Sequence, residues 1–132
     1  MLDFNTYIGI PFKAFGRDSH GLDCWGLVRL IYKHKLDIDL PSYINEYDGI
    51  EDRDKIAKAM EKHAYEWLEI SSGNEQIFDV ILMRIRGLPI HVGIVIAPGR
   101  MLHILSNMNV CLERYNTTLW HKRIQGFYRY AR

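Results

Sequence analysis

FDVILMRIRGLPIHVGIVIAPGRMLHIL, residues 78–105, is where the chain changes from a helical period to that of strands. Three runs rich in β-branched and aromatic residues, 78–85, 90–96 and 101–105, are separated by Arg86-Gly87-Leu88-Pro89 and Ala97-Pro98-Gly99-Arg100. Runs of that length broken by Gly and Pro read as strands joined by tight turns. Within the second run Ile90, Val92, Ile94 and Ile96 share one parity, and His91, Gly93 and Val95 share the other. Runs 110–115 and 126–130, the first preceded by the turn Ser106-Asn107-Met108-Asn109, bring the count to about five strands. The short connections favour an antiparallel meander.

Upstream the pattern is helical. GLDCWGLVRLIYK predicts a helix over about 23–34, with Gly26, Arg29 and Lys33 on a polar stripe and Leu27, Val28, Leu30 and Ile31 covering most of the rest. Residues 37–48 read as loop, stopped by Pro41, and 50–66 as a second helix, in which Ile56, Met60 and Ala64 recur at helical spacing. The first twenty residues are punctuated by Gly9, Pro11, Gly16 and Asp18-Ser19 and read as loop. Helices followed by strands give an α+β class: N-terminal helices packed on a roughly five-stranded antiparallel sheet, in a single domain over 1–132.

Composition excludes several classes of function. With 132 residues, 48% hydrophobic and 25% charged, the chain matches an ordinary globular domain. A net charge of +1 gives no electrostatic reason for nucleic acid or an anionic membrane as partner. The aromatic and basic residues of the C-terminal stretch, from Trp120 and Lys122 to Arg129 and Arg132, fit strand alternation better than a nucleic-acid surface. No apolar run approaches a membrane span, and MLDFNTYIGIPF has no secretory leader pattern. Synthesis in a cytoplasm, with delivery by something other than a signal peptide if it acts outside, is the expectation. Two cysteines, Cys24 and Cys111, make no disulfide framework.

Cys24 falls at the start of the first expected helix, behind Asp23 as cap and Gly21 as a point of close approach. Free amides and partial positive charge there would lower a thiol pKa and could bind an oxyanion. The bland reading is a small buried hydrophobe. His91 supplies the missing base, and Gly93 beside it is expected to leave space for a substrate backbone. With residues 97–100 as the turn, His103 is expected to pair close to Ile90 or His91, where it could orient the first imidazole. His20 with Cys24, His91 and His103 could be imagined as a zinc set, but no pair has local ligand spacing, so no metal and no cofactor are expected. Cys111, between Val110 and Leu112, reads as structural.

The runs GIPFKAFGRDSHGLDCWGLVRLIYK, FDVILMR and IHVGIVIAPGRMLHI resemble the NlpC-type cell-wall cysteine peptidases, a papain-like fold, and within them the branch found in phage tail gene clusters. The likeness extends over about residues 8–130. It implies Cys24 as nucleophile, His91 as general base and His103 as the orienting third member. It also implies hydrolysis of peptidoglycan stem peptides at the bond between a D-γ-glutamyl residue and a diamino acid. In that setting Asp23, Trp25, Phe12 and Gly93 are the expected substrate-binding residues, and phage tail-tip proteins the expected partners of a virion component. Two positions depart from the pattern. Trp25 stands where many members carry serine, and Phe12 stands where many carry a tyrosine whose hydroxyl reaches the site. One lost donor of that kind is worth about 2.7–4 kcal/mol. The alternative expectation is therefore a structural tail-assembly module on the same frame.

Overall fold

The computed structural model describes residues 3–42, 62 and 66–130. The second expected helix, apart from Lys62 and Glu66, lies outside the described residues. A 3-10 turn at Asn5–Tyr7 leads to a small hairpin of β1 (Arg17–Asp18) and β2 (Gly21–Leu22), and α1 follows over Cys24–Leu36. Then come β3 (Trp67–Ile70), β4 (Val80–Ile85), β5 (Leu88–Ala97), β6 (Arg100–His103), β7 (Cys111–Arg114), a single-turn α2 (Thr118–His121) and β8 (Ile124–Tyr130).

The strands from β3 onward form one six-stranded sheet in the order β3-β8-β4-β5-β6-β7, antiparallel at every pairing. The α+β class is therefore as read from the sequence, with two corrections. The meander holds for β4 to β7 only, because β8 crosses back to pair with β4 on its other side. The additional strand is β3, whose WLEI lacks clear alternation and pairs only with β8 at the sheet edge. Arg86 and Gly87 both take positive φ, 52° and 83°, so the β4–β5 connection is a two-residue hairpin turn, and Leu88 and Pro89 belong to β5.

Both faces of the sheet are covered, which explains why β4 and β5 read as nearly continuous apolar runs. On one face Val80, Val92, Ile94, Leu102 and Ile104 share a core with Leu27, Val28 and Ile31 of α1 and with Tyr7, Leu22 and Leu40. On the other, Ile81, Met83, Val95, Met101, Tyr115, Trp120 and Phe127 form a second core. Each such side chain contributes about 1.5–3 kcal/mol on burial. Gly26 was expected on the polar stripe but is buried against Gly16, so closely that a β-carbon there would collide with the Gly16 carbonyl. The start of β4 is tied to the end of its neighbour β8 by Asp79, 1% exposed, which accepts from Arg129 Nε and Nη2 at 2.8 Å each.

Candidate active site

The start of α1 is fixed before its chemistry begins. Asp23 caps the helix by accepting from the Gly26 amide at 2.8 Å, and the same oxygen takes the Arg17 Nη1 donor at 2.6 Å. Arg17 in turn reaches Ser42 Oγ and the Ser42 carbonyl. Trp25 donates its indole N–H to the Pro41 carbonyl at 2.8 Å and packs edge-on against Trp67. Asp23 and Trp25 thus hold the 37–42 loop over the helix start, a structural task beside the substrate-binding one expected of them. The segment 9–12 runs next to residues 108–110, and the Phe12 amide donates to the Met108 carbonyl. Phe12 also bridges Leu22, two residues before Cys24.

Cys24 is half-buried, and the Val92 amide lies close enough to its sulfur to favour the thiolate. That contact joins the start of α1 to β5 one residue beyond His91. Burial pushes the thiol up to about 12, Asp23's charge adds to the rise, and the Val92 amide, Arg17 and the Trp25 amide pull against it. The expected lowering by the helix end is thus reversed. The partial charge of a helix terminus, about half an elementary unit, is outweighed by loss of solvent and a carboxylate next door.

His91 and His103 do come together, by a register other than the expected one. Gly93, not Ile90 or His91, lies opposite His103: counting back from the Ala97–Arg100 pair leads to Ile94, and a β-bulge between Val95 and Ala97 moves the partner one residue further to Gly93. His91 is two residues from Gly93 and so on the same face, a diagonal neighbour of His103. Its Nε2 is 2.9 Å from His103 Nδ1. The space expected beside Gly93 is taken: Met83 and Met101 fill it, with Met83 Cε and Met101 Sδ each 3.1 Å from where a β-carbon would stand.

Sequence reasoning missed the next two members. His103 Nε2 is 2.7 Å from Glu113 Oε1, and Glu113 Oε2 accepts the indole N–H of Trp120. The Trp120 ring stacks on His91 and meets His103 edge-on. Burial lowers the pKa of His91 to about 3, helped by His103, and also lowers that of His103, there opposed by Glu113. Both imidazoles are therefore neutral near neutral pH. A signal for Glu113 existed in its parity with Cys111 on β7, but it required the β6–β7 register, which pairs His103 with Cys111.

The four-residue metal set of the sequence reading is not gathered. His20 is exposed on the β1–β2 turn, where its amide bonds Asp18. Among the described residues, the group close enough to share an ion is His103, Cys111 and Glu113. Its imidazole and carboxylate are already joined by the 2.7 Å hydrogen bond, which accounts for their approach without an ion.

A family model described as the NlpC/P60 family matches residues 9–129. The murein DD-endopeptidase MepS/murein LD-carboxypeptidase of Escherichia coli K12 is 24% identical over 123 residues, 93% of this chain. The chain spans 57% of the length of that relative. Among solved structures, an NlpC/P60 family protein from Bacillus cereus superposes with a TM-score of 0.68 at 22% identity, covering 94% of this chain and 36% of that one. The NlpC/p60 domain of the peptidoglycan hydrolase SagA superposes with a TM-score of 0.64 at 20% identity, covering 94% and 90%. At those identities the likeness establishes the shared fold.

Proposed function

The chain belongs to the NlpC/P60 family, and from that premise we propose that it is a cysteine endopeptidase acting on peptidoglycan stem peptides. The bond opened is the one between a D-γ-glutamyl residue and the following diamino acid. A murein substrate is supported by the names of the E. coli relative and of SagA. The observation that carries the reading is the Cys24 sulfur lying close to the Val92 amide, on the strand residue adjoining His91. Behind His91 stands a hydrogen-bonded third member, His103.

In the resting site the thiol is protonated and the imidazole neutral. The proton therefore moves as the bond forms. Cys24 Sγ attacks the peptide carbonyl while its proton passes to His91. The imidazolium then protonates the leaving amine as the C–N bond breaks, leaving a thioester on Cys24. Water, deprotonated by His91, releases the acid and restores the thiol. The Cys24 amide opens α1 with no carbonyl four residues earlier in the helix and can serve the oxyanion.

The biological setting that fits the Asp23-Cys24-Trp25-Gly26-Leu27 run is a phage or prophage tail tip, opening the wall locally as a virion component with tail-tip proteins as partners. A second reading, a tail-assembly module with little activity, draws on the raised thiol of Cys24 and on Phe12 in place of tyrosine. Digestion of defined muropeptides, followed by mass spectrometry, separates the two. Cleavage after the D-γ-glutamyl residue by the wild type and none by Cys24→Ala is the expected outcome. Intact muropeptides with both proteins would favour the assembly module.

A further inference from the structure

Building on the peptidase reading, we propose that Glu113 is a positioning residue that fixes the tautomers of both histidines so that His91 presents a bare nitrogen to Cys24. An ionised carboxylate only accepts hydrogen bonds. Glu113 accepts from the Trp120 indole through one oxygen, and an indole N–H can only donate. The other oxygen lies 2.7 Å from His103 Nε2, so that nitrogen carries the proton. With His103 neutral, its Nδ1 is then an acceptor. His91 Nε2, 2.9 Å away, must supply the hydrogen. The remaining nitrogen, His91 Nδ1, is left unprotonated, since the bond to His103 is made through Nε2. That is the atom able to take a thiol proton.

The chain of donors runs one way because its far end is anchored by Trp120; its His91–His103 link is buried, while the Glu113 side chain is 34% exposed. His91 and His103 are 3% and 0% exposed, so water cannot readily substitute for a missing partner. Cys111 pairs with His103 in register but does not enter this chain, and the carboxylate nearest to it is Glu113 itself.

An amide at position 113 makes the role testable. Glu113→Gln offers one acceptor oxygen to two donors. If that oxygen goes to Trp120, the NH₂ faces His103 Nε2 and forces the opposite tautomer, which reverses both rings and puts the proton on His91 Nδ1. Two-bond ¹H–¹⁵N correlations of the imidazoles report this without any substrate. In the wild type, Nε2 of both histidines is expected to be protonated and Nδ1 bare; in Glu113→Gln the pattern reverses. The kcat for stem-peptide cleavage should fall by about 10²- to 10⁴-fold, the scale of a wrong-tautomer variant in a catalytic triad, with KM little changed. Adding Trp120→Phe removes the competing donor, lets the side-chain oxygen of the introduced amide turn to His103, and should restore at least a tenth of the lost kcat. Wild-type rings with protonated Nδ1 would overturn the proposal, as would a Glu113→Gln protein with unaltered tautomers and kcat. Should that variant fail to fold, the wild-type spectrum decides alone. A wild type without Cys24-dependent cleavage sinks the peptidase reading, and the tautomer spectra still decide the part played by Glu113.

Discussion

On one face of β5, Val92 and Ile94 share a core with Leu27, Val28 and Ile31 of α1; on the other, His91 meets His103 and Trp120 beside Met83 and Met101. Both faces are buried, yet they are held by different physics. The α1 face is an apolar contact, non-directional and tolerant of volume-conserving exchange. The histidine face is a directional chain of hydrogen bonds, in which a wrong atom at one end alters the other end. A strand can carry both because successive side chains point to opposite faces. The apolar side fixes where β5 lies, and with it the Val92 amide close to the Cys24 sulfur. The polar side then determines which nitrogen of His91 is available.

Breaking the first face should cost stability and leave the proton arrangement alone. Ile94, fully buried, is the cleanest probe. Ile94→Ala is expected to destabilise by about 2–5 kcal/mol. Urea unfolding should show this as a lower midpoint with an unchanged slope, while the imidazole tautomers of the folded protein stay as in the wild type. A tautomer change in Ile94→Ala would mean that the two faces are not separable.

The second face gives an effect that is absent at neutral pH and carries a pH signature. His91 titrates near 6.5 when unfolded and is held neutral down to about 3 when folded. The unfolded chain therefore binds the extra proton between those values. Stability should be intact above about pH 6.5 and decline as pH falls toward 3, by up to about 1.4 kcal/mol per unit for this one group. His91→Gln, which can still donate to His103 Nδ1, should flatten the decline in a series of urea midpoints between pH 7 and pH 4. An equal acid slope in wild type and His91→Gln would place the sensitivity elsewhere.

The same contrast explains what the sequence disclosed. The apolar face was legible because Val92 and Ile94 alternate with His91, Gly93 and Val95, and because Arg86-Gly87 and Pro98-Gly99 mark turns. Cys24, His91 and His103 were legible as a set for the same reason: a helix start and two neighbouring strands can be located from pattern alone. What pattern could not supply were quantities fixed by three-dimensional neighbours. The bulge after Val95 set the true partner of His103, and Met83 and Met101 filled the space beside Gly93. Glu113 stayed invisible because its partner, His103, is met only through the β6–β7 register. The direction of the Cys24 shift turned on burial and on Asp23, which the helix-end argument alone does not weigh. The edge strand β3 was missed because it is short and paired on one side only.

The most direct test of the account is to trap the acyl-enzyme. Wild-type protein mixed with a defined stem peptide, quenched in acid within milliseconds to seconds and digested for mass spectrometry, should carry a γ-D-glutamyl thioester on the peptide containing Cys24. Cleavage that proceeds with no adduct on Cys24, or with one on Cys111 instead, would contradict it.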